Sequence, residues 1–286
     1  MRRKRSRRLR GALLSALLIA PLTLLPAGSS AAASGDGGWN KRNCASEHDR
    51  PVVLVHGTGG NAWLSWLGLA PYLVERGYCV YSLDYGQMSG VPILHGLAPI
   101  EGSAAQLATF VDGVLATTGA DEVDIVGHSQ GGMMPRYYLK HHADGADRVN
   151  ALIALAPSTN GTTASGLIGL LDLVPGLTAF LDEHSPVLLQ QMVGSEFITG
   201  LNAGGYTLPG VEYTVIGTEH DQVITPYETQ FIDEPGVTNV LLQELCPENE
   251  SGHMALVLGD RMAFQEVANA LDPANAEPAD CRLLSE

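Results

Sequence analysis

One stretch of the 286-residue chain decides the fold: residues 123–140 read VDIVGHSQGGMMPRYYLK. Its opening, Val123–Val126, is short and rich in β-branched residues, which predicts a buried strand, and Gln130–His141 predicts a helix. Between them lies Gly127-His128-Ser129-Gln130-Gly131, which fits the pattern Gly-x-Ser-x-Gly. A sharp strand-to-helix turn of this kind exposes the serine hydroxyl, and glycines two positions away avoid clashes in its strained backbone. The stretch therefore predicts a nucleophile, Ser129.

A second glycine-rich turn follows the strand predicted at residues 51–55, where the chain reads His56-Gly57-Thr58-Gly59-Gly60. Nucleophilic attack on an acyl carbonyl places negative charge on its oxygen, and that oxygen needs rigid N–H donors. We expect the backbone N–H groups of Thr58 and Gln130 to form this oxyanion hole. The Thr58 hydroxyl is a candidate third donor, and His56 is expected to be structural.

The acid and the base are predicted from their places in the chain. Hydrolases with this type of nucleophile turn place their triad in the order serine, acid, histidine. Asp221 follows a predicted strand, and the Val-Ile-x-Pro turn after it would anchor its loop, so we prefer it to Glu219. Asp233 and Glu234 are the fallback acids. His253 lies between the last predicted strand and the last predicted helix, where the base is required.

Predicted strands and helices alternate along the chain, which favours a parallel sheet covered by helices. We expect the strands at residues 51–55, 79–83, 123–126, 151–155, 213–216 and 237–245, and the helices at 63–76, 104–118, 130–141 and 260–271. The sequence therefore predicts an α/β fold with about six mostly parallel strands and helices on both faces.

A segment at about residues 157–205 breaks this alternation, because it contains no strand pattern over some fifty residues. Ordinary core helices are one interpretation. Long insertions in compact domains are often lids, and we favour a helical lid over a pocket. Ser185 and Pro186 are expected to begin one of its helices. The predicted substrate-binding residues are its apolar side chains Leu167, Leu170, Leu171, Val174, Leu188 and Leu189.

Residues 1–33 are predicted to be a secretory signal peptide rather than part of the domain at 34–286. Seven basic residues lie within the first ten, an apolar run follows to about residue 25, and Ala31–Ala33 provides small residues for cleavage. A membrane anchor is the alternative, but the run is short and contains Pro21 and Pro26. We therefore expect a secreted, extracellular protein with no stable membrane insertion after cleavage.

The remaining chain is strongly acidic. Without the leader it keeps nine of the 16 basic residues and all 31 acidic ones, a formal net charge of −22. Such a chain should not bind nucleic acid or an anionic membrane by charge. We expect a monomer.

The four cysteines, Cys44, Cys79, Cys246 and Cys281, predict disulfides, since their number is even and the chain is expected to be secreted. Three pairings are possible. We choose Cys44–Cys79, which ties the N-terminal segment to a central strand, and Cys246–Cys281, which ties the loop before His253 to the C-terminal tail. No Cys-x-x-Cys or Cys/His cluster is present, so neither metal nor cofactor is expected.

Together these residues resemble the α/β-hydrolase lipases, especially secreted actinobacterial and related bacterial triacylglycerol lipases with a Gly-His-Ser-Gln-Gly turn. The Thr58-Gly59 turn, the Ser129-Gln130 pair and the cysteine positions are also similar to the yeast lipase B type. The resemblance runs from about Cys44 to Cys281. It implies an α/β-hydrolase fold. Only about eighteen residues separate the predicted cleavage point from the first predicted strand, so we expect a minimal version of that fold. The resemblance also implies a serine carboxylic ester hydrolase that cleaves acylglycerol or other aliphatic esters through an acyl-enzyme, with a lipid–water interface as one setting.

Other functions on the same fold stay open. A carboxylesterase or polyester depolymerase with an open cleft would show no gain at a lipid interface, and an acyltransferase would pass the acyl group to an alcohol. A non-catalytic binding protein of this fold would typically lack one of the triad residues, whereas Ser129, Asp221 and His253 are all present. No sequence feature supports a peptidase.

Overall fold

The computed structural model describes residues 37–88, 91–165 and 176–285. These residues belong to one compact unit, Ser34–Glu286. The predicted signal peptide, residues 1–33, lies outside the described residues and stays a prediction.

A parallel sheet forms the centre of the domain, and its strands are β1 (Gly38–Trp39), β2 (Val52–Val55), β3 (Cys79–Ser82), β4 (Val123–His128), β5 (Val149–Leu155), β6 (Glu212–Gly217) and β7 (Val237–Leu241). They are ordered β1-β3-β2-β4-β5-β6-β7, and every neighbouring pair is parallel. Strands β2, β3 and β4 are buried along their whole length, as expected for a parallel sheet covered on both faces. The predicted fold class is confirmed.

The helices are α1 (Leu69–Glu75), α2 (Ile100–Thr118), α3 (Gln130–His141), α4 (Leu177–His184), α5 (Pro186–Gln190), α6 (Glu196–Asn202), α7 (Leu242–Leu245), α8 (Ala255–Leu258) and α9 (Arg261–Leu271). One core cluster contains the buried side chains of α2 and α3 together with those of the inserted α5 and α6. A second cluster contains those of α1, α8 and α9. Two separate cores on one sheet mean that helices cover both of its faces.

Two predicted elements differ from the structure, and one strand was not predicted. The helix expected at residues 63–76 is split into a 3-10 turn, Leu64–Trp66, and α1. Gly68 separates them, and a Cβ there would lie 2.3 Å from the Leu258 carbonyl oxygen, so the backbone of α8 occupies that space. The strand expected to reach Leu245 ends at Leu241, where α7 begins. The two-residue β1 was not predicted.

Both predicted disulfide pairings are present. Cys44 is bonded to Cys79, with their Cα atoms 5.8 Å apart, and Cys246 is bonded to Cys281, with their Cα atoms 5.2 Å apart. The first fastens the N-terminal segment to the start of β3, and the second fastens the C-terminal tail to the residue that follows α7. Within the described ranges, no helix is both long and apolar enough to cross a membrane.

Candidate active site

Ser129 lies in the tight turn between β4 and α3, with φ 57° and ψ −123°. This is a strained conformation for a residue with a side chain. Its neighbours leave no space: a Cβ on Gly127 would lie 1.8 Å from the Gly131 carbonyl oxygen, and a Cβ on Gly131 would lie 2.0 Å from the Val55 carbonyl oxygen. The two glycines are therefore required by backbone contacts, which is the reason that the sequence motif suggested.

Asp221 and His253 form a buried pair at the carboxyl edge of the sheet. His253 Nδ1–H donates to Asp221 Oδ2 over 2.7 Å. The other carboxylate oxygen of Asp221 accepts from the backbone N–H groups of Val223 (2.7 Å) and Ile224 (2.9 Å). Gln230 Nε2–H also donates to Asp221 Oδ2 (3.2 Å). The Val-Ile turn thus anchors the carboxylate, and the bond to Nδ1 leaves His253 Nε2 free to accept a proton.

The competing acids are engaged elsewhere or exposed. Glu219 faces its neighbour His220, 3.8 Å away. Glu234 accepts from the backbone N–H groups of Tyr206 and Thr207, over 2.8 and 3.0 Å. Asp233 is exposed. Of the four predicted acids, Asp221 is thus the one that the structure joins to His253.

Ser129 and His253 line one cavity of about 470 Å³. Among the hydrogen bonds of the described residues, none joins Ser129 Oγ to His253 Nε2. Contacts of this kind are often long without substrate and tighten when substrate binds. The structure thus brings the three predicted triad residues to one site, with His253 and Asp221 already hydrogen-bonded.

His128 packs against His253, a contact that was not predicted from the sequence. Its Nε2–H donates to the His253 carbonyl oxygen over 3.0 Å, and the two ring centroids are 4.5 Å apart. Burial lowers the pKa of His128 well below its usual range, so the ring stays neutral. No sequence pattern indicates this contact, because it joins residues 125 positions apart.

The turn that carries Thr58 is closed by a hydrogen bond from Gly60 N–H to the Gly57 carbonyl oxygen (3.1 Å). His95 braces it through two backbone bonds, accepting from Gly59 N–H (2.9 Å) and donating to Gly60 O (3.1 Å). Gln130, the second predicted donor, is the first residue of α3, where backbone N–H groups have no partner inside the helix.

The Thr58 hydroxyl is hydrogen-bonded to two glutamine side chains. It donates to Gln130 Oε1 (2.9 Å) and accepts from Gln191 Nε2 (2.8 Å). The candidate third donor of the oxyanion hole is therefore directed at Gln130 in this structure. Gln191 lines the cavity and was not predicted from the sequence as a site residue.

His56 is fully buried next to this turn. Its Nδ1–H donates to the Gly57 carbonyl oxygen (2.8 Å), and its ring stacks on Tyr85 with centroids 4.3 Å apart. Burial lowers the pKa of His56 to about 4. A neutral, packed imidazole of this kind fits the structural role expected for it.

The insertion forms one wall of the cavity through Leu181, Leu188 and Leu189. Val223, Ile224 and Met254 provide apolar surface from the acid and base loops. Two of the six predicted substrate-binding residues, Leu188 and Leu189, therefore line the cavity. The other four, Leu167, Leu170, Leu171 and Val174, lie outside the described residues and stay predictions.

Comparisons with known proteins identify a family. The family model described as "Lipase (class 2)" matches residues 49–263. A triacylglycerol lipase of Pseudarthrobacter phenanthrenivorans is 39% identical over 92 residues, which are 30% of this chain and 27% of that protein. Lipase B of Pseudozyma antarctica is 26% identical over 228 residues, 76% of this chain and 60% of that protein.

Solved structures show the same fold. The crystal structure of Aspergillus fumigatus lipase B matches with a TM-score of 0.65 and 23% identity, over 81% of this chain and 54% of that one. Mature Bacillus licheniformis lipase BlEst2 matches with a TM-score of 0.59 and 17% identity, over 79% of this chain and 95% of that one. In contrast, the matched region is only 27% and 24% of the length of the P. phenanthrenivorans and Burkholderia plantarii triacylglycerol lipases.

Proposed function

Because the chain belongs to the class 2 lipase family, we propose that it is a secreted serine hydrolase of carboxylic esters, of the lipase type. One observation carries the proposal: Ser129, on its strained turn, opens into the same cavity as a preformed His253–Asp221 pair. A serine hydroxyl is a weak nucleophile, and an adjacent base held by an acid is the usual means of activating it.

The mechanism follows from the arrangement of these groups. His253 Nε2 takes the hydroxyl proton as Ser129 Oγ forms a bond to the ester carbonyl carbon, and the carbonyl electrons move to oxygen. The backbone N–H groups of Thr58 and Gln130 bind that oxyanion. As it collapses, the bond to the alkoxide breaks and His253 returns its proton to the leaving alcohol. Water then repeats these steps on the acyl-enzyme and releases the acid.

The cavity walls favour an aliphatic acyl group. Leu181, Leu188 and Leu189 face it from the insertion, and an apolar chain placed against them loses unfavourable contact with water. Val223 and Met254 line the cavity and yet are 44% and 49% exposed, so apolar surface continues from the cavity to the outside. We therefore infer that acylglycerols or other aliphatic esters are the substrates, and that a lipid–water interface is a natural place to meet them.

Secretion is part of the proposal. The basic and apolar leader at residues 1–33 supports it, and so do the two disulfides, which are typical of oxidising compartments.

The test is ester hydrolysis by the mature protein and its Ser129→Ala variant, on p-nitrophenyl esters from acetate to palmitate and on emulsified triglyceride. Ser46→Ala is a matched control, because the Ser46 hydroxyl bonds the Gly77 carbonyl oxygen outside the cavity. We expect activity that rises with chain length and on the emulsion, is lost in Ser129→Ala and is kept in Ser46→Ala.

Other outcomes separate the alternatives. Activity confined to short soluble esters would identify a carboxylesterase, and hydrolysis of a polyester film would identify a depolymerase. Transfer of the acyl group to an added alcohol in water would identify an acyltransferase. Ester hydrolysis that persists in Ser129→Ala would contradict the serine mechanism.

A further inference from the structure

Gln191 follows α5 in the insertion, and its side-chain amide is fully hydrogen-bonded. Its Oε1 accepts from the Ser158 hydroxyl (2.9 Å), while its Nε2 donates to the Val187 carbonyl oxygen (3.3 Å) and to Thr58 Oγ1 (2.8 Å). The oxygen and both N–H hydrogens are therefore in use. Turning the amide over would place Oε1 against the Val187 carbonyl oxygen, which can only accept, so this bond fixes the direction of the amide. Gln191 thus presents an N–H to Thr58 in one fixed direction.

This amide is also buried. Gln191 is 5% exposed and Ser158 is fully buried, so water cannot easily replace a bond that is lost. The Gln191 backbone is held as well, because its carbonyl oxygen accepts from Thr162 N–H (2.9 Å) and its N–H donates to the Val187 carbonyl oxygen (3.0 Å). Side chain and backbone together place one residue of the insertion against the oxyanion turn.

The Thr58 hydroxyl has a single hydrogen, and Gln191 limits where it can point. Since Gln191 occupies one lone pair of Thr58 Oγ1, the hydroxyl hydrogen must point away from Gln191. In this structure it points at Gln130 Oε1, while Gln130 Nε2 is buried without a hydrogen-bond partner.

Turning over the Gln130 amide would relieve that unpaired N–H. Nε2 would then donate to Thr58 Oγ1, and the Thr58 hydrogen would be released toward the cavity. The cost is an unpaired carbonyl oxygen, which proteins tolerate better than an unpaired N–H. The Gln191 bond to Thr58 is the same in both arrangements.

We propose that Gln191 is a positioning residue for the oxyanion hole, which holds the Thr58 hydroxyl so that its hydrogen, once released by Gln130, points at the negatively charged oxygen. The inference rests on the proposed function and extends it. It means that the insertion has two roles: its leucines line the acyl cavity, and Gln191 orients the Thr58 hydroxyl as a donor to the oxyanion. Helix α5, which ends at the residue before Gln191, must then be in place for full activity.

A second role for Gln191 has to be separated from this one, because the residue also lines the cavity. The oxyanion is the same for every ester, so a positioning role predicts the same loss of kcat from acetate to palmitate. A wall of the acyl cavity contacts only the acyl chain. A lining role therefore predicts changes in KM that grow with chain length.

The experiment is a double-mutant cycle on p-nitrophenyl esters, with Gln191→Met, which keeps the size and removes the N–H, and Thr58→Val, which keeps the shape and removes the hydroxyl. We expect kcat to fall roughly tenfold in Gln191→Met, with KM within about twofold at every chain length. The kcat of Thr58→Val should be lower than that of the parent by a factor on the order of 10 to 100. The kcat of the double variant should be no lower than that of Thr58→Val, because Gln191 acts through the Thr58 hydroxyl.

Two controls accompany the cycle. Gln190→Met removes bonds from the neighbouring residue of α5 to Ile100 and Glu101 without touching Thr58, and its kcat should stay within about twofold of the parent. Thr58→Ser keeps the hydroxyl and should retain most of the activity. If Gln191→Met does not fold, Gln191→Leu replaces it, because it also removes the N–H and adds no charge.

If the losses of kcat in the two single variants multiply in the double variant, the inference is wrong. It is also wrong if Gln191→Met keeps its kcat and shows a KM that changes with acyl-chain length. Either result would leave the proposed function intact. Only Ser129→Ala tests that function directly, so the two failures are distinguishable.

Discussion

Acid should destabilise this protein in part through His56. The ring is fully buried next to the turn that carries Thr58, its Nε2 has no hydrogen-bond partner, and burial lowers its pKa from 6.5 to about 4. Between these two pH values the unfolded chain binds a proton at His56 and the folded chain does not. Stability therefore rises with pH in this window: the His56 contribution is complete above about pH 6.5 and is lost as the pH falls toward 4.

The size of the effect follows from the shift of about 2.5 pH units. At 1.36 kcal/mol per unit, the shift can lower the free energy of unfolding by at most about 3 kcal/mol, a limit reached when the pH lies below both pKa values. At pH 5 the unfolded chain is nearly all protonated at this position and the folded chain is not, which gives a loss of about 2 kcal/mol relative to pH 8. Such a loss is a large part of the usual 5–15 kcal/mol stability of a domain.

The assay is urea unfolding at pH 8 and pH 5 for the parent and His56→Asn. Asparagine does not titrate, and its amide N–H can replace the bond from His56 Nδ1 to the Gly57 carbonyl oxygen. His128, whose pKa is also lowered by burial, is present in both proteins and its contribution cancels in the comparison. We expect the parent to lose about 2 kcal/mol more than the variant between the two pH values. Equal losses would refute the assignment.

Three further predictions concern the site. Asp221→Asn should lower kcat by roughly 10⁴ while Glu219→Gln leaves it unchanged, measured on p-nitrophenyl butyrate, since Asp221 alone of the two bonds the base. Gly131→Ala should prevent folding, because its Cβ would lie 2.0 Å from a carbonyl oxygen of β2, whereas Gly102→Ala in α2 has open space; circular dichroism and soluble yield compare them. His128→Phe should lower kcat by roughly tenfold with little change in KM, because His253, the proposed base, loses a donor to its carbonyl oxygen.

Local patterns predicted what local interactions determine. Strand β4, the turn at Ser129 and helix α3 follow one another within 19 residues, and the structure begins and ends α3 where the sequence predicted it. Asp221 and His253 are 32 residues apart, but chain order alone reduces the candidates to a few loops. The Val-Ile turn then favours Asp221 over Glu219, because such a turn can anchor the carboxylate. In the structure the backbone N–H groups of Val223 and Ile224 donate to Asp221.

Other features depend on contacts that no window of sequence contains. Helical spacing continues through Gly68, and only the carbonyl of Leu258, 190 residues later, makes glycine necessary there. Strand β1 has two residues and exists because Gly38 and Trp39 pair with β3, so it is too short for any periodicity. Gln191 bonds Thr58 across 133 positions, and a glutamine in an apolar insertion gives no sign of such a partner.

Some residues of the insertion that line the cavity also hold the loop of Asp221 or the turn of Thr58. Substitutions at these residues would therefore affect both. Thr162 lines the cavity, and its hydroxyl donates to the Val223 carbonyl oxygen (2.5 Å) in the loop that carries Asp221. A change at Thr162 would therefore disturb the loop of Asp221 as well as the cavity wall, just as a change at Gln191 would disturb the turn that carries Thr58. Leu188 lines the cavity only through apolar contact, and its side chain is 40% exposed. Acyl-chain preference should therefore be adjustable at Leu188 without disturbing Asp221 or the turn that carries Thr58.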